Sequence, residues 1–353
     1  FHKSNIFYNN NYYKSISFFS IMKDVVLLAD PNTAAWDFSE KIQNHIRDTK
    51  EKEVRLDRLE ITVFGDDEFL PHVVDNIRKK DVYLIQSSNK NPGTWLTELV
   101  LTKNLCLKAD VNSLSLVLPY MRFVRQDRKH QSRVPISTRA VADAISPGLK
   151  RIITMDLHSP QIENAYPENV ALDNLQSFPD LVRYLKENNS SYLDNLAIVS
   201  PDVGGAGRAN SLYKRFLKTE KKSNGDESKY SLAIMSKFRD KPGSIEKMFL
   251  IGDVNKKNVL VVDDIIDSGN SGIKAADLLR KEGAQKLMFY ATHGLFTKGT
   301  KDILNAYDVV MTSNTHYSPK EGDRKIEIID MAPTFAEAIY RSQEGLSVSR
   351  LFD

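Results

Sequence analysis

Cysteine is almost absent from this chain, since Cys106 is the only one among 353 residues. A single cysteine cannot form an internal disulfide, which favours a reducing compartment, and we interpret Cys106 as a small buried apolar residue. Long apolar runs are also missing: Val25–Ala29 and Val259–Val262 have the length of a strand, far short of a membrane span. We therefore expect a soluble protein of the cytoplasm.

The chain also lacks an excess of either charge, because 49 Lys and Arg face 46 Asp and Glu, a formal net charge of +3. This balance excludes a protein that binds polyanions through a large basic surplus. Any recognition of phosphate must depend on local clusters. A hydrophobic content of 41% is that of a globular chain, and the length suggests about two domains.

The first 21 residues differ from the rest. Phe1–Ile21 contains no acidic residue, and Met22 precedes the first clear apolar run. Two interpretations compete: Met22 is the natural start, or the segment is a transit peptide for import into an organelle. Its lack of arginine favours the first interpretation, and we leave residues 1–21 out of the fold prediction.

From Met22 onward, apolar runs of strand length alternate with stretches of helical period. The runs that predict strands are Val25–Ala29, Leu59–Val63, Val82–Gln86, Leu114–Leu118, Ile152–Met155, Ala197–Val199, Ser231–Met235, Val259–Val262, Lys286–Ala291 and Val309–Thr312. The stretches that predict helices are Ala35–Asp48, Glu68–Lys79, Leu96–Ala109, Ser177–Glu187, Ala206–Lys218 and Gly272–Glu282. Apolar strands between helices are typical of α/β folds with parallel sheets covered on both faces.

The alternation occurs twice, which predicts two α/β domains in tandem, residues 22–175 and residues 176–353, the second with a C-terminal helix. Lys218–Lys229 contains no apolar residue, and we interpret it as a flexible surface insertion. In such folds ligands bind beyond the carboxyl ends of the strands. The residues that follow each apolar run are therefore the candidates for function.

The most informative segment follows the run Val259–Val262. Two carboxylates, Asp263 and Asp264, come first, and after Asp267 there is a turn of small polar residues, Ser268, Gly269, Asn270 and Ser271. The backbone N–H groups of that turn, with the N-terminus of the helix that follows, suit a phosphate. The two carboxylates suit the hydroxyls of a sugar, or a metal ion.

Polar residues also follow three other predicted strands. The basic cluster after Leu114–Leu118 comprises Arg122, Arg125, Arg128, Lys129 and Arg133. In a nearly neutral protein such a cluster suits a polyphosphate better than a solvated surface. Asp156 and His158, on one face of extended chain, suit a divalent cation, and Asp202 precedes a Gly-rich turn.

In this order and spacing, these segments resemble the ribose-phosphate pyrophosphokinase family, from about Phe64 to the end of the chain. The resemblance implies two tandem domains of the type I phosphoribosyltransferase fold. It implies transfer of the diphosphoryl group of ATP to the C1 hydroxyl of ribose 5-phosphate, which yields phosphoribosyl pyrophosphate for nucleotide biosynthesis, and AMP. It also implies Mg²⁺ as cofactor and a homo-oligomer built from dimers, up to a hexamer.

The resemblance assigns ATP binding to two places. Arg125 and Gln126 match an Arg-Gln pair of the family. A second segment matches a loop that reaches the ATP of a neighbouring subunit; its residues are Phe64, Asp66, Asp67 and Glu68. Asp67 replaces a Gly of the family, and because Gly allows backbone angles that Asp disfavours, the replacement puts the shape of this loop in question.

The resemblance assigns the remaining site residues as well. Asp263, Asp264 and Asp267–Ser271 match the ribose 5-phosphate site, with Asn270 in place of a more usual Gly. His158 and Asp202 match metal-associated positions. Since Mg²⁺ prefers oxygen and keeps its waters, we expect His158 to act partly through water.

Two other functions stay open. A non-catalytic regulatory subunit is favoured by the Lys218–Lys229 stretch and by Asp67, and is opposed by the retained site residues. A phosphoribosyltransferase has no evident use for the basic cluster or for the first domain.

Regulation is predicted from one further position. The family often binds phosphate or ADP near Gln161 and near a tail that matches Ser347–Ser349, and Glu163 stands where many members have Gln. A carboxylate repels phosphate, so we expect weak activation by inorganic phosphate.

Lys237 and Arg239 match the catalytic Lys-x-Arg of the family, at the root of a mobile loop, here Lys241–Glu246. We predict that Lys237→Ala abolishes synthesis and leaves the fold intact, because the lysine stabilises transferred phosphates. An AMP-release assay together with circular dichroism checks this. Near-normal turnover of the variant would show that the catalytic lysine is misassigned.

Overall fold

The computed structural model describes residues 20–222, 225–238, 247–316 and 325–352, and these ranges form two seven-stranded sheets. The first sheet contains β1 (Ser20–Ala29), β2 (Lys52–Val63), β3 (Phe69–Val73), β4 (Asp81–Ile85), β5 (Ser113–Leu118), β6 (Arg151–Met155) and β7 (Ala171–Leu175). The second contains β8 (Leu196–Ser200), β9 (Tyr230–Phe238), β10 (Lys247–Ile251), β11 (Asn258–Ile266), β12 (Leu287–Gly294), β13 (Val309–Ser313) and β14 (Ile326–Ile329).

Helices connect the strands and cover the sheets. The α-helices of the described ranges are α1 (Ala34–Lys50), α2 (Pro92–Lys108), α3 (Ser137–Ile145), α4 (Phe178–Asn188), α5 (Ala206–Lys222), α6 (Asn270–Lys281), α7 (Lys301–Ala306) and α8 (Ala332–Gln343). Short 3₁₀ turns occupy Pro160–Ala165, Ser190–Tyr192, Glu227–Lys229 and Ser349–Phe352. None of the described helices is both long and apolar enough to cross a membrane.

The two sheets repeat one topology. The strand orders are β3-β2-β1-β4-β5-β6-β7 and β10-β9-β8-β11-β12-β13-β14, so each strand of the second corresponds to the strand seven places earlier. Pairings are parallel except at one edge of each sheet, where β3 runs antiparallel to β2 and β10 antiparallel to β9. The predicted α/β class with tandem, parallel central sheets is confirmed, and each sheet also carries one antiparallel edge strand.

Buried strands explain why the apolar runs located the sheets so well. Every residue of β4 and of β8 is buried, as expected for strands with helices on both faces. Their carboxyl ends point to the same edge as their parallel neighbours, so the loops that follow them lie side by side.

Helices of both halves share one apolar core between the sheets. Phe38 of α1 and Phe335 of α8 meet edge to face, with ring centroids 5.3 Å apart. Lys52 pairs with Glu344 at 2.6 Å. The C-terminal helix therefore packs against the first sheet, and the division at residues 175 and 176 stays a prediction.

The predicted helix Glu68–Lys79 is wrong. The segment instead starts with the edge strand β3, in which Pro71 lies opposite Ile61 of β2. Proline has no N–H to donate, so it is disfavoured inside a helix, where that hydrogen bond is needed. An edge strand tolerates proline because one side of its backbone has no partner strand. The prediction of strand Leu59–Val63 found only the end of β2, which begins at Lys52.

The Lys218–Lys229 stretch is not a wholly flexible insertion. Its first residues continue α5 to Lys222, and Glu227–Lys229 form a 3₁₀ turn. Glu220 is buried, with its carboxylate bonded to Lys186 at 2.9 Å and to the Tyr230 hydroxyl at 3.1 Å. Glu220 therefore contributes to the packing of α5 on its neighbours, although it is a polar residue.

Two smaller expectations can be compared with the structure. β1 begins at Ser20 and pairs it with Lys52, so residues 20 and 21, which we left out, belong to the sheet. Residues 1–19 lie outside the described ranges. Cys106 is buried, and burial raises the pKa of its thiol to about 12, as expected of an apolar packing residue.

We predict that Phe335→Ala lowers the free energy of unfolding by about 3–5 kcal/mol, because the ring is fully buried against Phe38. Urea denaturation measures the loss. Leu346→Ala is the matched control, since Leu346 is 50% exposed and its truncation should change stability by less than about 0.5 kcal/mol. Equal losses in both variants would contradict the shared core.

Candidate active site

A cavity of about 550 Å³ lies at the carboxyl edge of the second sheet. Its lining comes from within four segments, 125–130, 158–161, 202–208 and 263–272, together with Phe289. The first two segments follow strands of the first sheet. The candidate residues named from the sequence that line it are Arg125, Arg128, His158, Gln161, Asp202, Asp263, Asp264, Asp267, Ser268, Gly269, Asn270 and Ser271.

The segment Asp267–Ser271, here called the phosphate turn after its predicted role, contains one left-handed residue directly before α6. Gly269 has φ 77°, a left-handed conformation that glycine adopts without strain, and α6 begins at the next residue. Asn270 is therefore helical and does not occupy the left-handed position, so its replacement of Gly leaves the turn intact. Backbone N–H groups at the start of α6 and the helix dipole favour an anion here.

Arg208 of α5 joins the two carboxylates of β11. Its Nη1 lies 3.1 Å from Asp263 Oδ1 and 3.1 Å from Asp264 Oδ1, and its side chain is largely buried. His158 Nδ1 lies 2.7 Å from Asp264 Oδ2. Two adjacent carboxylates are thus held beside one permanent cation and one imidazole.

This arrangement separates the proton affinities of the carboxylates. Burial and the neighbouring Asp264 charge raise the pKa of Asp263. Burial disfavours the charged form of Asp264 as well, but the His158 hydrogen bond and the Arg208 charge outweigh it and hold its pKa below the usual range. The same hydrogen bond raises the pKa of His158.

Arg125 and Gln126 lie in different surroundings. Arg125 Nη1 donates to Asp267 Oδ2 at 2.7 Å, so the basic cluster of the first half contacts the phosphate turn of the second. The Gln126 side chain accepts a hydrogen bond from Ser137 at the start of α3 and does not line the cavity. The sequence pairs the two residues, and the structure brings only Arg125 to the cavity.

The loop from Phe64 to Glu68 connects β2 and β3 and does not line the cavity. Phe64 N donates to Glu68 O at 2.7 Å, and Asp67 has φ 67°, the left-handed conformation that the family's Gly adopts freely. Asp67 therefore accepts the backbone angle of a tight turn. Phe64 is 50% exposed on this hairpin.

Asp156 is held away from the cavity. Its Oδ2 accepts hydrogen bonds from Ser177 Oγ at 2.5 Å and from Thr292 Oγ1 at 2.7 Å. These bonds join β6 to α4 and β12, so the carboxylate is occupied in packing and does not suit a metal ion. The described residues contain no group of three acidic, His or Cys side chains arranged around a metal.

His158 and Asp202 both line the cavity. Asp202 Oδ1 accepts from Gly205 N at 2.9 Å, which fixes the carboxylate at the turn before α5. Their binding of Mg²⁺, which prefers oxygen ligands and keeps its waters, stays a prediction.

Lys237 lies in β9, two residues before the described chain breaks off, and pairs with Met248 of β10. Ile234 pairs with Ser200 at the end of β8, so Lys237 lies beyond the same sheet edge as Asp202. The side chain of Lys237, Arg239 and the loop Lys241–Glu246 lie outside the described residues.

Arg208 was missed as a site residue by sequence reasoning. It stands at the third position of α5, directly after the Gly-rich turn that follows Asp202, which is the one local signal for it. Its contacts with Asp263 and Asp264 join residues 55 and 56 positions apart, and no local pattern specifies them.

Comparison with known proteins identifies the family of this chain. One family model, the N-terminal domain of ribose phosphate pyrophosphokinase, matches residues 32–147, and another, a phosphoribosyl synthetase-associated domain, matches residues 195–353. A ribose-phosphate pyrophosphokinase of Rhizobium meliloti is 36% identical over 304 residues, 84% of this chain and 93% of that protein. Ribose-phosphate pyrophosphokinase 4 of Saccharomyces cerevisiae is 32% identical over 86% of this chain and 90% of that protein.

Among solved structures, phosphoribosylpyrophosphate synthetase from Mycobacterium smegmatis superposes with a TM-score of 0.77. It covers 91% of this chain and 99% of its own, at 24% identity, and shows the shared fold. The fold and the cavity define a tandem α/β protein with a phosphate turn beside paired carboxylates. The chain belongs to the ribose-phosphate pyrophosphokinase family.

We predict that Asp264→Asn lowers the pKa of His158, since the hydrogen bond that raises it is weakened while burial remains. In the native protein the His158–Asp264 pair stabilises the folded state fully below pH 6.5, the ordinary pKa of histidine. This stabilisation is lost as the pH rises through the raised pKa of His158. NMR titration of labelled histidines measures it.

His316 serves as internal reference in that titration, because burial lowers its pKa to about 3 and keeps it neutral over the range used. An unchanged His158 pKa in the variant would contradict the bond to Asp264.

Proposed function

We propose that this protein transfers the diphosphoryl group of ATP to the C1 hydroxyl of ribose 5-phosphate, giving phosphoribosyl pyrophosphate and AMP. The product supplies nucleotide biosynthesis. One observation carries the proposal: a single cavity joins a phosphate turn, a pair of carboxylates and a basic segment from the other half of the chain.

Ribose 5-phosphate would bind along β11 and the turn that follows. The N–H groups of Ser268–Ser271 would hold the 5-phosphate, and Asp263 and Asp264 would accept hydrogen bonds from ribose hydroxyls. Arg208 supports this role, because its charge reduces the repulsion between the two carboxylates and counteracts part of the burial that raises the pKa of Asp263.

ATP would bind opposite, against Arg125 of the basic cluster. The C1 hydroxyl oxygen attacks the β-phosphorus and gives up its proton to solvent, the bond between the α,β-bridging oxygen and the β-phosphorus breaks, and AMP leaves. Negative charge develops on the phosphate oxygens, so positioned cations supply most of the rate. Lys237 and Arg239 are the proposed cations at the transferred group, and the position of Lys237 beyond the Asp202 edge supports this.

Mg²⁺ is the proposed cofactor, with His158 and Asp202 holding it partly through water. When bound, it would neutralise phosphate charge and orient the diphosphoryl group. Asp156 is not included, because its carboxylate is bonded to Ser177 and Thr292.

A homo-oligomer is part of the proposal. Phe64, Asp66, Asp67 and Glu68 are the proposed contacts to ATP of a neighbouring subunit, up to a hexamer. The position of these residues supports a contact with another subunit, because the hairpin does not line the cavity of the same chain. The hairpin also carries exposed Val63 and Phe64. The cytoplasmic location and the domains 22–175 and 176–353 stay predictions.

The regulatory subunit is the second candidate. The two features that favour a regulatory subunit are weak arguments for it. Asp67 keeps a tight turn, and part of the Lys218–Lys229 stretch is helical.

We predict that the full chain forms AMP from ATP only when ribose 5-phosphate and Mg²⁺ are both present, in equal amount to phosphoribosyl pyrophosphate. Chromatography of the nucleotides with a coupled assay of the product measures both. Parallel reactions with and without inorganic phosphate test the weak activation expected from Glu163.

The controls omit ribose 5-phosphate or replace Lys237 with Ala. Absence of AMP in the complete reaction would favour the regulatory subunit. Consumption of phosphoribosyl pyrophosphate on addition of a nucleobase would indicate a phosphoribosyltransferase instead.

A further inference from the structure

Thr297 makes two hydrogen bonds to the residue that opens the phosphate turn. Its Oγ1 donates to Asp267 Oδ1 at 2.6 Å, and its backbone N donates to Asp267 O at 3.1 Å. The first bond orients the carboxylate and the second fixes the backbone. Thr297 follows β12 by three residues.

The segment around Thr297 is held against the end of β11. Leu295 N donates to Ile266 O at 2.8 Å, and the side chain of Phe296 is buried. The hydroxyl of Thr297 is thus presented from a rigid support, although the residue itself is exposed. A hydrogen bond from a fixed donor to a carboxylate is stronger than one between neutral groups.

The other oxygen of Asp267 faces the basic cluster. Oδ2 accepts from Arg125 Nη1 at 2.7 Å, so the carboxylate is divided between Thr297 on one side and Arg125 on the other. The Thr297 hydrogen bond and Arg125 hold the pKa of Asp267 below its usual range. The carboxylate remains ionised at neutral pH and can keep both donors.

We propose that Thr297 is a positioning residue, which fixes the Asp267 carboxylate and with it the phosphate turn in the geometry that takes a sugar phosphate. The proposal rests on the proposed function and deepens it. Without the hydroxyl, Asp267 Oδ1 loses its donor, so the carboxylate is held on one side only, by Arg125 at Oδ2, while the backbone bond from Thr297 N to Asp267 O remains. The effect should therefore fall on the sugar phosphate and much less on ATP.

The test compares Thr297→Val, which removes the hydroxyl at nearly constant volume, with Thr297→Ser, which keeps it. Isothermal titration of the full chain with ribose 5-phosphate measures binding without turnover, and steady-state kinetics give KM for each substrate. We expect Thr297→Val to weaken ribose 5-phosphate binding about ten-fold and to change KM for ATP by less than about two-fold. Thr297→Ser should retain most of the binding.

Thermal unfolding of both variants separates positioning from a structural role. An unchanged melting temperature with weakened binding in Thr297→Val supports the proposal. Native-like binding in Thr297→Val, equal weakening in both variants, or weakening that accompanies a lowered melting temperature would each overturn it.

The two proposals fail in different ways. A wild-type chain that binds ribose 5-phosphate but forms no AMP contradicts the proposed function, while the comparison of the two variants still decides the role of Thr297. A wild-type chain that binds no ribose 5-phosphate overturns both.

Discussion

The site depends on holding two adjacent carboxylates, Asp263 and Asp264, in a poorly solvated strand end. Two such charges repel each other, and burial disfavours the charged form of each. Arg208 contacts both at 3.1 Å, and His158 bonds to one. A buried charge is tolerated when it is paired and hydrogen-bonded, so these contacts allow the end of β11 to carry two adjacent carboxylates. The phosphate turn and α6 directly follow the end of β11, so the position of that strand end sets theirs.

The second constraint is the packing of the two sheets on one core. Helices from both halves fill the space between the sheets, and α8 returns from the end of the chain to pack on α1. This packing sets the basic cluster of the first half against the phosphate turn of the second, where Arg125 meets Asp267. Opposite charges from different halves thus face one cavity, which a net charge of +3 does not reveal.

Much of the fold could be predicted because buried parallel strands are continuous apolar runs. β4, β8 and the start of β11 are of this kind, and each was predicted within a residue or two. Weaker patterns failed. The edge strand β3 is partly exposed and short, and its apolar residues recur at a helical period, so the pairing with β2 decided its structure. The polar start of Lys218–Lys229 concealed Glu220, which is buried by its contacts with Lys186 and Tyr230.

The chemistry of the loops can be read from the chain alone: a phosphate turn after an Asp-Asp strand end, a basic cluster, and an acidic residue before a Gly-rich turn. Each of these motifs consists of residues close together in the sequence, so its side chains lie in the same loop in any fold. Which of these loops and side chains contact one another depends on the packing of the two sheets. In the folded chain Arg208 contacts the two carboxylates, Thr297 donates to Asp267, and Asp156 bonds to Thr292 between β6 and β12. Such contacts join residues tens to more than a hundred positions apart, and their energy comes from burial and geometry that no local pattern encodes.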